Sequence, residues 1–122
     1  MNTYVFFFIA FSFLLTHEMD AVRRHEWKVF PLLSQIRDDE QGYMLFTALH
    51  IPLYVFLLWG VSTNGTAMNQ SFVRGLDIFC GIHVPLHLLF IKHPSYQFNN
   101  WYSWTLIFGA GLAGGIDLLI RN

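Results

Sequence analysis

The chain has 122 residues and a net charge of −1 at neutral pH; 54% of its residues are apolar and 12% are charged. Soluble domains of this size carry about 25% charge, and 13 phenylalanines are more than a chain that buries about two-thirds of its surface can hide from water. These figures exclude a soluble monomer, a disordered chain, a disulfide scaffold (Cys80 is the single cysteine) and a nucleic-acid binder. What is expected is an integral membrane protein forming one domain over 1–122.

Residues 3–16 carry no charge, and a first helix is expected over 3–22. It lacks a basic leading segment and small residues at a cleavage site, so it is expected to stay attached rather than to act as a signal peptide. Residues 23–30, Arg-Arg-His-Glu-Trp-Lys-Val-Phe, read as an amphipathic helical extension at the membrane interface, ended by Pro31. No Asp, Glu, Lys or Arg occurs between Gln41 and Val73, which gives a second span over 43–61. A third is expected over 72–91, and a fourth over 101–120. Each has close to the ~20 residues that a hydrocarbon core of ~30 Å requires, and runs of this length favour helices over barrel strands. The fold class is therefore all-α, a polytopic bundle of four transmembrane helices. Asn64-Gly65-Thr66 and Asn69-Gln70-Ser71 match the glycosylation pattern but read as polar turns. Small residues four apart on the fourth helix, Ala110/Gly114 and Gly111/Gly115, permit close helix contact inside the bundle or between subunits, as in a homo-oligomer or a subunit of a membrane complex. Arg23, Arg24, Lys28, Arg37 and Lys92 lie in the first and third connections. The positive-inside rule then puts those connections in the cytoplasm and both termini outside, in a cell inner membrane.

Ionisable residues within a bilayer mark function by default. With a rise of 1.5 Å per residue, His17 lies ~9 Å below the end of the first span, His50 ~10 Å inside the second, and His87 and His83 ~7 and ~13 Å inside the third. Four histidines from three helices thus share one slab of the cytoplasmic half. His83 and His87 are four apart on one face, and His17 shares a face with Asp20, while Glu18 points about 100° away. His17, Asp20, His50, His83 and His87 together suit zinc or iron, with Glu18 or Glu26 as proton acceptor. Zinc would acidify a water for hydrolysis of a lipid-like substrate, and iron would suit its oxidation. Two other readings stand beside this one: a haem b electron carrier held by His50 with His83 or His87, and a non-enzymatic subunit or assembly factor whose histidines tie helices together. Near the outer face, Arg74, Asp77 and Asp117 are expected to pair and join the third and fourth helices.

The run His17-Glu18-Met19-Asp20, with Glu26-Trp27 and Phe30-Pro31 behind it, is followed by His50-Ile51-Pro52 and by the His83/His87 pair. This pattern resembles a group of small four-helix membrane proteins classed as a domain of unknown function, and is loosely similar to HXXEE-type membrane proteins, with Asp20 where those have an adjacent acidic pair. The resemblance implies a four-helix fold and a polar-lined site, and it supplies no activity.

Overall fold

In the computed structural model, which describes residues 4–63 and 66–121, four helices form the chain: α1 (Val5–Arg23), α2 (Asp39–Val61), α3 (Gln70–Phe90) and α4 (Trp101–Arg121). All four are long and apolar enough to cross a membrane. Two-residue strands β1 (Ser62–Thr63) and β2 (Ala67–Met68) pair antiparallel between α2 and α3, Ser62 opposite Met68. Asn64 and Gly65, in the first of the two glycosylation-like triplets, lie outside the described residues; the second triplet starts the third helix.

Polar side chains fix where three helices begin. Asp38 accepts from the Gln41 N–H at 2.8 Å, Asn69 from Phe72 at 3.2 Å and Asn100 from Ser103 at 2.8 Å, each meeting a donor that the first helical turn leaves free. Asp39 and Glu40 add negative charge where the α2 dipole favours it. The start of α1 is satisfied from another helix: Asp117 of α4 accepts from the Phe7 N–H at 3.1 Å.

Packing centres on α4, which lies against both α1 and α3. Its small residues make this close approach workable. A Cβ at Gly109 would strike the Phe13 ring of α1, and one at Gly114 would sit 3.0 Å from the Asp77 carbonyl of α3. Ala110 and Gly114 are buried inside the bundle, so one of the two small-residue pairs serves contacts within the chain. One apolar core joins Phe7, Phe11, Leu14, Val73, Leu76 and Ala113, and a second joins Ala21, Trp27, Phe46, Tyr96 and Phe98. By contrast α2 stands at the edge, with Ile51, Val55, Phe56 and Trp59 exposed as a lipid-facing surface requires.

The expected continuous helix over 23–30 is replaced by a break. His25 takes a left-handed conformation (φ 52°), which stops α1, and a single 3-10 turn, Glu26–Lys28, follows. The reversal carries Trp27 inward rather than to the interface: it is 1% exposed and lies against Phe46, with ring centroids 5.4 Å apart. Gly42 of α2 is so close to the indole that a Cβ there would overlap it. Gly42→Ala is therefore expected to cost about 1–3 kcal/mol through overpacking, seen as a lower Tm in detergent. An unchanged Tm would mean that the indole seat is looser than described.

Candidate metal centre

Between the two apolar cores lies a layer of imidazoles. His17 of α1 and His83 and His87 of α3 are all buried, and each offers a ring nitrogen such that all three lie within 4.8 Å of one another. The Nε2 atoms of His83 and His87, one turn apart, are separated by 3.2 Å. Two bonds of ~2.0–2.1 Å to a tetrahedral zinc would hold their nitrogens about 3.3 Å apart. His17 is 1% exposed, and neither of its ring nitrogens has a hydrogen-bond partner among the described residues; His83 Nδ1 is also bare. An unmet buried polar group costs about 1–3 kcal/mol, so these nitrogens favour a shared partner, and three neutral imidazoles are a donor set that suits zinc.

The third connection closes this layer. Phe98 is 1% exposed, and its ring lies 5.4 Å from that of His17 and 4.8 Å from that of His87. The Tyr96 hydroxyl is 3.0 Å from His87 Nδ1. Burial, and after it the negative charge of Glu26, pushes the Tyr96 phenol above its ordinary range, so the hydroxyl keeps its proton. Its position orients the ring of His87, as partners of ligating imidazoles do.

Asp20 and His50 lie outside the three-histidine group. Asp20 accepts from the Ser103 hydroxyl of α4 and from Arg24 Nε at 3.3 Å, which ties α1 to α4. His50 of α2 faces the Phe46 carbonyl through Nδ1 at 2.8 Å and Glu18 through Nε2 at 3.0 Å. A carbonyl only accepts, so Nδ1 carries hydrogen. The second contact then needs one more proton, on Nε2 or on the carboxyl, and the pair as a whole is neutral either way. Glu18 accordingly faces α2, on the side away from His17 that helical geometry indicates.

Glu26 lines the cavities that flank His83. Desolvation, followed by the charges of Glu18 and Asp20, raises its pKa from 4.5 to about 8. Between those values the unfolded chain has released a proton that the folded chain keeps, so stability falls as pH rises through that window and levels off above it. In the metal-free protein the loss is expected to be on the order of a few kcal/mol, and Glu26→Gln should flatten that part of a Tm-against-pH curve. An identical curve for wild type and variant would contradict the assignment.

At the opposite end, Arg121 rather than Arg74 joins the two acids. Its guanidinium bonds Asp117 and lies 3.1 Å from Asp77, while Arg74 is exposed. Arg121 follows Asp117 by four residues on α4, the spacing at which helical side chains meet, and that places its cation over both carboxylates. Tyr96, Phe98 and Ser103 were not among the expected site residues. For Ser103 a signal existed in Asn100 three residues earlier, a start-of-helix pattern that turns the hydroxyl inward.

The class these features define is a four-helix membrane protein with a buried three-histidine group in one half of the bundle. Residues 3–122 match the model of a family described as a family of unknown function, DUF6713, and the chain belongs to that family. No curated protein and no solved structure matches it.

Proposed function

We propose that this protein is a membrane-embedded metalloenzyme in which His17, His83 and His87 bind one divalent transition metal, zinc in the first place, to hydrolyse a lipid-like ester or amide. The observation that carries the reading is His17: a fully buried imidazole, both of whose nitrogens lack a hydrogen-bond partner among the described residues, facing two further imidazoles. Three histidines with a fourth position left open form a catalytic type of zinc set. Non-haem iron sites commonly add a carboxylate, and Asp20 is engaged with Ser103 and Arg24, which favours zinc and hydrolysis over iron and oxidation. An ion is also favoured over haem b, because the haem reading needs His50 as an axial ligand and both ring nitrogens of His50 are engaged, with the Phe46 carbonyl and with Glu18.

Bound zinc would supply an acidified water and polarise the substrate carbonyl. Glu26 would take the proton released when water adds to the acyl carbon and pass it to the leaving oxygen or nitrogen as the C–O or C–N bond breaks. Glu26, whose carboxyl burial holds at a raised pKa, would be brought towards the range where it can accept that proton by a cation held at the histidines. The Glu18–His50 pair, lining the same cavity as Glu26, supports that proton traffic from α2. We further infer that the first and third connections face the cytoplasm of a cell inner membrane, with the metal layer in the cytoplasmic half.

The test is elemental analysis and an optical spectrum on one detergent-purified sample. About one zinc per chain and no Soret band are expected. Background metal in folded protein overturns the reading, and a Soret band transfers the site to haem.

A further inference from the structure

Two cavities flank His83. One, of about 270 Å³, extends along α3 past Leu86 and Phe90 to the third connection. The other, of about 260 Å³, extends under α2 past Leu49 and Leu53. They share Glu26, Phe30, Phe79 and His83, so they adjoin there as the two lobes of a cleft divided by those four side chains. The cleft exists because α2 leans on α3 mainly at the far end, where Phe56 and Phe72 pack at 5.3 Å and Gly60 lies under the Phe72 ring. Towards the metal layer the two helices part, and the first connection roofs the gap with Glu26 and Phe30.

The rims lie in the apolar spans. Leu86 and Phe90 of α3 and Leu49 and Leu53 of α2 are between 37% and 46% exposed, so the mouths open on the sides of helices apolar enough to cross a membrane. The walls are mostly carbon, and the polar groups are His83, His87 and Glu26 near the ion site, with the mutually bonded Glu18 and His50 in the α2 lobe. A purely apolar guest would leave those groups bare, a penalty that polar sites impose on ligands lacking the matching group. Each lobe is smaller than the ~300 Å³ at which ordinary ligand pockets begin, which suits one alkyl chain and not two abreast.

We propose that the cleft takes a single-chain amphiphile from the bilayer, a long-chain acyl compound whose carbonyl or carboxylate oxygen meets the ion at the histidines while its chain lies along Phe79 and Phe30. This rests on the metal reading above. It adds that the substrate enters laterally from lipid and is selected by chain length.

Cobalt(II)-loaded protein in detergent separates the two ideas. Dodecanoate is expected to perturb the visible cobalt bands at a concentration at least ~100-fold below that needed with acetate, since each buried methylene adds affinity. Phe79→Trp, which fills the waist, should reduce that ratio to below ~10-fold with cobalt content unchanged. Leu53→Trp does the same from the α2 lobe if the first variant does not fold. Equal half-saturation by dodecanoate and acetate overturns the proposal, as does a response to azide with none to dodecanoate. Failure to take up cobalt at all overturns the metal reading instead, at a separate step.

Discussion

Replacing His17 by alanine is expected to bring the metal content of the purified protein from about one ion per chain to background. The imidazole of His17 is the sole contribution of α1 to the group, and the other two ligands sit on one helix. Removing it leaves an i, i+4 pair, too few ligands for a stable closed or catalytic zinc site. The effect on the metal-free protein should be small by comparison, because the ring deleted has two unpartnered nitrogens and its loss relieves their desolvation as it opens a cavity. Thermal unfolding gives a second readout. In chelator the wild type and His17→Ala should unfold at similar temperatures. In excess zinc only the wild type should gain, by about 4 kcal/mol when the ion is at a thousand times its Kd. His50→Ala and Asp20→Asn are the controls that define the ligand set. His50 is held by the Phe46 carbonyl and Glu18, and Asp20 by Ser103 and Arg24, so both variants should keep their metal. If His50→Ala loses the ion as completely as His17→Ala, the set is larger than three histidines.

Much of this site is legible in the amino-acid sequence. Helical rise alone placed His17, His83 and His87 at one depth, and i, i+4 spacing put two of them on one face. Long charge-poor runs marked all four helices, and Asp38, Asn69 and Asn100 are ordinary cap residues at the starts of α2, α3 and α4. What local periodicity lacks is the identity of the neighbour a face looks at. His50 has the same depth as the others, but α2 sits at the edge of the bundle, so its inward face meets Glu18 instead of the group on α3. Asp20 shares the face of His17, yet one further turn brings it to Ser103 on α4. The stretch 23–30 misled for another reason. Its composition alternates apolar and charged residues as an interfacial helix does, and no glycine signals the left-handed turn that His25 makes. That turn sends Trp27 into a core and Glu26 into the cleft, which is how a residue from a connection comes to stand beside the buried histidines.

Arg121→Ala is expected to be the most destabilising change at the end of the bundle opposite the histidines, by about 3–5 kcal/mol, the range seen when one partner of a buried ion pair is removed. Asp77 and Asp117 are each 1% exposed and share this one guanidinium, whose side chain is itself only 12% exposed. It also lies over the Tyr4 ring, 4.7 Å from its centre, beside the start of α1. Without it two buried carboxylates face each other with no cation between them, and Asp117 must still serve the Phe7 N–H. Three helices are joined at this point, so the loss should appear as one cooperative shift in Tm rather than as fraying of α4 alone. Asp117→Asn keeps an acceptor for Phe7 and removes one of the two negative charges, and should cost less than Arg121→Ala. Arg74→Ala, at an exposed position, should stay within about 0.5 kcal/mol of wild type. The order of the three variants is the test. Arg74→Ala falling as far as Arg121→Ala would return the pairing to the cation that helical position along α3 first indicated.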